Sequence, residues 1–183
     1  MSQKHNTIKV RDKYFELFIS SETIQKAVDK IADRINHDLA GKNPLFLVVL
    51  NGAFIFAADL FKRIDIDCEI SFVKLSSYNG TETTNVVREL IGLDDVLHNR
   101  TVVIIEDIID TGITMAETIS KLKRLEAREV KLAALLFKPA AFQKNYPIDY
   151  IGMEIPNDFI IGYGLDYDGY GRNHSNIYKI IKS

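Results

Sequence analysis

Three carboxylates crowd into the stretch IIEDIIDTGITM, residues 104–115: Glu106 and Asp107 side by side, then Asp110 directly before Thr111-Gly112-Ile113-Thr114. A carboxylate pair without basic neighbours only accepts hydrogen bonds and favours hard cations, so it suits vicinal hydroxyls, a divalent cation, or both. Gly112 allows a backbone angle that other residues resist, and Thr111 and Thr114 supply hydroxyls. The N–H groups that open the following helix complete an anion cradle. A hydroxyl site beside a phosphate site is the layout that a ribose 5-phosphate requires. The acids alone would also be satisfied as a solvated, capped turn; the full twelve-residue combination is not accounted for that way.

Such a turn needs a strand to carry it and a helix to receive it. The run TVVIIE (101–106) supplies the strand, with Glu106 and Asp107 expected at its exit, where the turning backbone lets both acids reach one ligand. The segment from Thr114 to about Ala127 supplies the helix. Met115, Ile119 and Leu122 would face the sheet, while Lys121, Lys123, Arg124 and Glu126 face water. Further apolar runs at 45–50, 68–75 and 129–137 predict three more strands. Ser20 or Ser21 can cap a helix carrying Ile24, Ala27, Val28, Ile31, Ile35 and Leu39 at helical spacing, with Gly41 to end it. A second helical stretch, AFIFAADLFKRI, follows Asn51-Gly52. Uniformly apolar strands alternating with helices indicate an α/β fold with a central, mainly parallel sheet flanked by helices. Ligands in such sheets bind beyond the carboxyl ends of the strands. Four chemically unusual stretches fall at those ends: Asn51-Gly52, 106–114, Lys138, and the tail around Phe159 to Asp166.

Composition narrows the function class. With 183 residues, 46% of them hydrophobic, one domain with a sizeable core is expected. The expected division is a core of roughly 20–148 and a small hood lobe built from the N-terminal segment and roughly 149–183. A net charge of −2 lacks the basic excess of a nucleic-acid binder. No apolar run approaches the roughly 20 residues of a membrane span, and the N-terminus has no signal-peptide core. Cys68 is the only cysteine, so neither an intrachain disulfide nor a cysteine metal site is expected. His5, His37, His98 and His174 show no ligand spacing. These features describe a soluble, cytoplasmic protein without membrane or nucleic-acid partners.

The stretch VVIIEDIIDTGIT resembles the signature of the type I phosphoribosyltransferases, which bind 5-phosphoribosyl 1-diphosphate. VLNGAFIFAADL, SSY, LLFKPA and IPNDFIIGYGLDYDGYGR are similar to segments of the hypoxanthine-guanine branch, so the likeness runs from about Leu45 to Ile180. The resemblance implies purine salvage: transfer of phosphoribosyl to N9 of hypoxanthine or guanine, giving IMP or GMP plus diphosphate, with Mg2+. It gives Asp110 the catalytic proton-accepting role at N7, and residues 106–114 (Glu106, Asp107, Ile108, Ile109, Asp110, Thr111, Gly112, Ile113, Thr114) the ribose 5-phosphate. Glu106 and Asp107 would also hold magnesium, and Asp166 would ligate a second ion beside the base. Lys138 would donate to the 6-oxygen, Phe159 would stack on the purine, and the Ile160 backbone would meet its far edge. Asn51 and Gly52, in a turn that often has a cis peptide, would contact diphosphate together with Arg172. Ser77 and Tyr78 would form the tip of a closing loop. A homodimer or homotetramer is implied as well.

Each of these residues also has a plainer reading: Lys138 as a surface lysine, Phe159 as a core aromatic, Asp166 and Asp168 as turn residues. Two positions depart from the resemblance. Asn51 and Ile113 stand where relatives are frequently basic, which leaves phosphate contacts there to backbone and hydroxyl groups. The same residues also allow a non-catalytic nucleotide- or nucleic-acid-binding regulator, or a transferase that prefers xanthine. Lys138 does not separate xanthine from guanine.

Overall fold

The computed structural model describes residues 7–75 and 97–181. Strands β1 (Thr7–Val10) and β2 (Lys13–Ile19) come first, then helix α1 (Ser21–Asp38), β3 (Leu45–Leu50), α2 (Phe54–Phe61) and β4 (Glu69–Lys74). After the gap come β5 (Thr101–Ile109), α3 (Ile113–Arg124), β6 (Glu129–Phe137), β7 (Tyr150–Glu154), β8 (Ile160–Ile161) and β9 (Ile177–Ile180).

Five strands form a parallel sheet in the order β4-β3-β5-β6-β7. Their side chains alternate between two cores, as strand geometry requires. Phe46, Val48, Val103, Ile105, Ala133 and Leu135 point to one face, where the Ile24/Val28/Ile31/Ile35 stripe of α1 and the Phe56/Leu60 side of α2 cover them. Leu45, Leu47, Ile104 and Leu132 point to the other, against Met115 and Leu122 of α3. Burial on both faces explains why these strands read as unbroken apolar runs. Ser20 caps α1, its Oγ accepting the Thr23 N–H at 3.2 Å. Cys68 is half-buried, and burial followed by the Asp67 charge pushes its thiol up.

Two elements differ from the sequence reading. First, β5 does not stop at Glu106 but continues to Ile109, because β6 runs beside it as far as the Ile109–Phe137 pair. Glu106 and Asp107 therefore stand inside the strand rather than at its exit. Second, the short, mixed segment Tyr150–Glu154 pairs with β6 as a fifth core strand, although it falls in the stretch expected to belong to the hood.

The remaining strands make an antiparallel sheet, β1-β2-β9-β8, with a small core of Val10, Phe15, Ile161 and Tyr178. Strands from the N-terminal segment and from the tail thus build one lobe, and the tail packs through Gly164 on Gly52, beyond the carboxyl end of β3. No helix among the described residues is long and apolar enough to cross a membrane.

Candidate active site

Strand alternation sends Glu106 and Asp107 in different directions, yet their carboxyl groups come into hydrogen-bonding contact. Asp107 leans on the turn after β3: a Cβ added to Gly52 would lie 1.8 Å from Asp107 Oδ2, so only glycine fits. The Ile108 N–H donates to Asp107 Oδ1 at 2.9 Å. Glu106 instead lines a cavity of about 310 Å³, shared with residues 108–115 and with Val49, Leu50 and Leu75. Burial, and then the Asp107 charge, pushes the Glu106 carboxyl well above the ordinary glutamate range. Asp107 is also raised by burial, against hydrogen bonds and the Arg172 charge that pull it down. Glu106 Oε2 is buried with no hydrogen-bond partner among the described residues.

That orphaned oxygen in a raised carboxyl pair is the observation that fits a cation or sugar hydroxyls, since either would satisfy groups now left costly. Magnesium commonly takes one or two carboxylates, with waters and phosphates completing its shell. The pair Glu106–Asp107 meets that need, although no cluster of three candidate metal ligands occurs among the described residues.

The loop behind Asp110 opens α3, whose first-turn N–H groups have no side-chain cap, and residues 111–115 line the cavity. Gly112 is the N-cap at φ 78°, a left-handed conformation. With those N–H groups uncapped, the helix start is ready for an anion. Ile113 and Thr114 are exposed, and Thr111 Oγ1 reaches only the Ile113 N–H, at 3.5 Å. The back of the loop is held by the segment after β6. Gln143 N–H donates to Thr111 O at 3.1 Å, and Tyr146 OH to Gly112 O at 2.8 Å. A Cβ at Gly112 would lie 2.4 Å from Phe142 Cε2 and 2.7 Å from Tyr146 OH. Burial, then the Glu106 charge, pushes the Tyr146 hydroxyl up to about 12.

Lys138 follows β6, its N–H held by Ile109 O at 2.9 Å, and is nearly buried. Its ammonium ends on Asp110 Oδ2 at 3.0 Å, placing a donor beside an acceptor at the cavity lip. Ile155 N–H donates to Phe137 O at 2.8 Å, so the segment leading to Phe159 leaves the core beside Lys138. Phe159 is 46% exposed, despite edge-on contact with Tyr167 and a tilted contact with Phe15. Such exposure is unusual for a core aromatic and leaves a ring available for stacking. Ile160 is buried at the start of β8.

The turn after β3 contains a cis peptide at Leu50–Asn51, and Asn51 is exposed. The tail descends onto this turn at Gly164, where a Cβ would lie 2.1 Å from Gly52 O. Arg172 donates through Nη1 to Gly164 O at 2.6 Å, and Nη2 sits 2.7 Å from Asp166 Oδ1. Asp166 also accepts the Gly169 N–H at 2.6 Å. Asn51, Gly52, Asp107, Asp166 and Arg172 therefore meet in one corner. Ser77 and Tyr78 lie outside the described residues.

The sequence reading missed Tyr146 and Gly164. Tyr146 lies 34 positions from the carbonyl it holds, so no local pattern marks it. Gly164 belongs to Gly162-Tyr163-Gly164, whose paired glycines signal an unusual backbone without naming what it approaches.

The chain belongs to the family of the phosphoribosyl transferase domain, which matches residues 20–168. Its relatives within that family include hypoxanthine-guanine phosphoribosyltransferases. The enzyme of that name from Streptococcus thermophilus (strain CNRZ 1066) is 40% identical over 159 residues, 86% of this chain and 88% of that protein. The crystal structure of a hypoxanthine phosphoribosyltransferase from Staphylococcus aureus superposes with a TM-score of 0.84 at 34% identity, covering 91% of both chains. The bifunctional protein TilS/HprT of Listeria monocytogenes serotype 4b (strain F2365) is 38% identical over 170 residues, 92% of this chain. This chain spans only 25% of that longer protein.

Proposed function

We propose that the chain transfers the 5-phosphoribosyl group from 5-phosphoribosyl 1-diphosphate to N9 of hypoxanthine or guanine, releasing diphosphate with IMP or GMP. The observation that carries this reading is the Lys138–Asp110 pair at 3.0 Å. In a 6-oxopurine the 6-oxygen and N7 are neighbours, one accepting and the other carrying a proton. An ammonium beside a carboxylate complements that edge. Adenine would turn an amino group towards the ammonium, donor against donor, and be strongly disfavoured.

In the reaction the C1′–oxygen bond to diphosphate breaks, the N9–C1′ bond forms, and Asp110 takes the proton that leaves N7. Lys138 holds the 6-oxygen, Phe159 stacks on the ring and the Ile160 backbone meets its edge. The α3 N–H groups and the Thr111 and Thr114 hydroxyls bind the 5′-phosphate, with Ile113 adding no charge. Glu106 and Asp107 would hold the ribose hydroxyls and magnesium, and Asp166 would hold a second ion; metal bound there would supply positive charge opposite the diphosphate. Arg172 and the Asn51-Gly52 backbone hold the leaving diphosphate. The oxocarbenium-like centre that develops at C1′ must be kept from water.

Core and hood act as one catalytic domain. The donor and products are charged phosphates that do not cross bilayers, so the proposed compartment is the cytoplasm. A homodimer or homotetramer is proposed too; it is supported by the edge strand β4, where Ile70 and Phe72 are exposed, and is checked by sedimentation.

Incubating the protein with donor, magnesium and each of hypoxanthine, guanine, xanthine and adenine tests the reading. Nucleotide is expected from the first two, and no product from any base would overturn it. Asp110→Asn is expected to lower kcat at least about 100-fold while donor affinity is largely kept. Activity near wild type would remove the proton role.

A further inference from the structure

Buried between hood and core is a tyrosine that the proposed chemistry does not use. Tyr163 is 3% exposed, and its hydroxyl donates to Asp59 Oδ2 at 2.6 Å. Asp59 lies on α2, and its Oδ2 also accepts Gln25 Nε2 of α1 at 3.0 Å, while Lys62 Nζ sits 2.7 Å from Oδ1. Arg63 braces the group from behind, donating to Asp59 O and Gln25 Oε1, both at 2.8 Å. This network belongs to α1, α2 and the turn after α2; among the described residues, Tyr163 alone enters it from the tail.

What Tyr163 carries is the corner that holds Arg172. It lies between Gly162 and Gly164, and all three residues have positive φ, at 99°, 50° and 100°. For tyrosine that conformation is strained and persists only where surrounding contacts enforce it. Gly162 is pressed on Asn176 O and Gly164 on Gly52 O, each too close for a Cβ. Gly164 exchanges two hydrogen bonds with Arg172, through Arg172 Nη1 to Gly164 O and Gly164 N–H to Arg172 O at 3.0 Å. The turn is therefore fixed at one end by the phenol and at the other by the Gly52 carbonyl.

We propose that Tyr163 is a positioning residue for the diphosphate half of the site: anchored by Asp59, it sets the 162–164 turn against Gly52 and so places Arg172 and Asp166. This rests on the proposed function, whose diphosphate corner it deepens. Lys138 hangs from β6, and Phe159 precedes β8 outside the 162–164 turn, so the loss is expected to fall mainly on the diphosphate half.

Tyr163→Phe keeps the ring and removes the hydroxyl, which donates to Asp59 Oδ2 at 2.6 Å and accepts a longer contact from Gln25 Nε2 at 3.4 Å. One lost hydrogen bond of this kind corresponds to roughly a tenfold change. The expected result is about tenfold weaker binding of inorganic diphosphate with magnesium by calorimetry, and a comparable rise in KM for the donor. KM for hypoxanthine should stay within about twofold. Asp59→Asn retains an acceptor and should bind diphosphate within about twofold of wild type. Asp59→Ala should reproduce the Tyr163→Phe loss, and the double variant should lose no more than either alone. Should Tyr163→Phe not fold, the two Asp59 variants carry the test. Diphosphate binding unchanged in Tyr163→Phe or Asp59→Ala, with only the melting temperature lowered, would overturn the inference. Wild-type protein that binds diphosphate but forms no nucleotide would overturn the proposed activity and leave this comparison standing; wild type that binds no diphosphate would end both.

Discussion

Lys138 is almost buried, and an ammonium in that position needs a partner. Asp110 provides one, so the same two side chains that would read the purine edge satisfy each other without it. Replacing the lysine with methionine keeps most of the volume and removes the donor. Lys138→Met is expected to lower kcat/KM for hypoxanthine by about 100-fold or more, and to shrink the preference over adenine by a similar factor, measured with the two bases in competition. Gly112 tests the phosphate loop in a different way. Its positive φ and the Phe142 and Tyr146 contacts leave no space for a methyl group. Gly112→Ala should lower the melting temperature by about 5–10 °C, from roughly 2–3 kcal/mol of strain, and raise KM for the donor. A variant that melts with the wild type would contradict the packing described around the loop.

Elements were legible in the sequence where burial is uniform. LFLVVL and EVKLAALLF are strands because both faces of the sheet are covered, and α1 shows its stripe because one face meets that sheet. The extension of β5 was not legible: two acids interrupt the apolar pattern, and only the partner strand β6 keeps Ile108 and Ile109 in register. Tyr150–Glu154 was missed because five mixed residues carry no period of their own. Within the site, the 106–114 stretch was legible because its chemistry is local. The Tyr163–Asp59 link spans 104 positions, and the Lys138–Asp110 contact 28, so neither leaves a sequence pattern. The α1 cap gives a control at this scale, since it lies on an element but not among the proposed binding residues. Ser20→Ala should cost about 1 kcal/mol, or about 2–4 °C in melting temperature, with KM for donor and base unchanged. Altered KM values would mean that α1 transmits strain to the site.

Across the molecule, two lobes close on a carboxyl pair that the fold holds at a cost. Glu106 is ionised in the unfolded chain above about pH 4.3, but burial and the Asp107 charge raise its folded value well above that. The folded state therefore binds the proton more tightly, and stability falls as pH rises from about 4.3 through the raised value. In ligand-free protein, Glu106→Gln removes this penalty while keeping the shape. Its melting temperature should exceed that of wild type by a few degrees at pH 8, corresponding to about 1 kcal/mol, with the gap closing towards pH 4. Magnesium with donor should reverse the order. A ligand at 100 times its Kd stabilises by about 2.7 kcal/mol, so wild type should gain about 5–10 °C and lose it again on chelation, while Glu106→Gln gains little. If the variant melted below wild type without ligand, or gained as much with it, the strained pair would not be the group that the sugar and cation relieve.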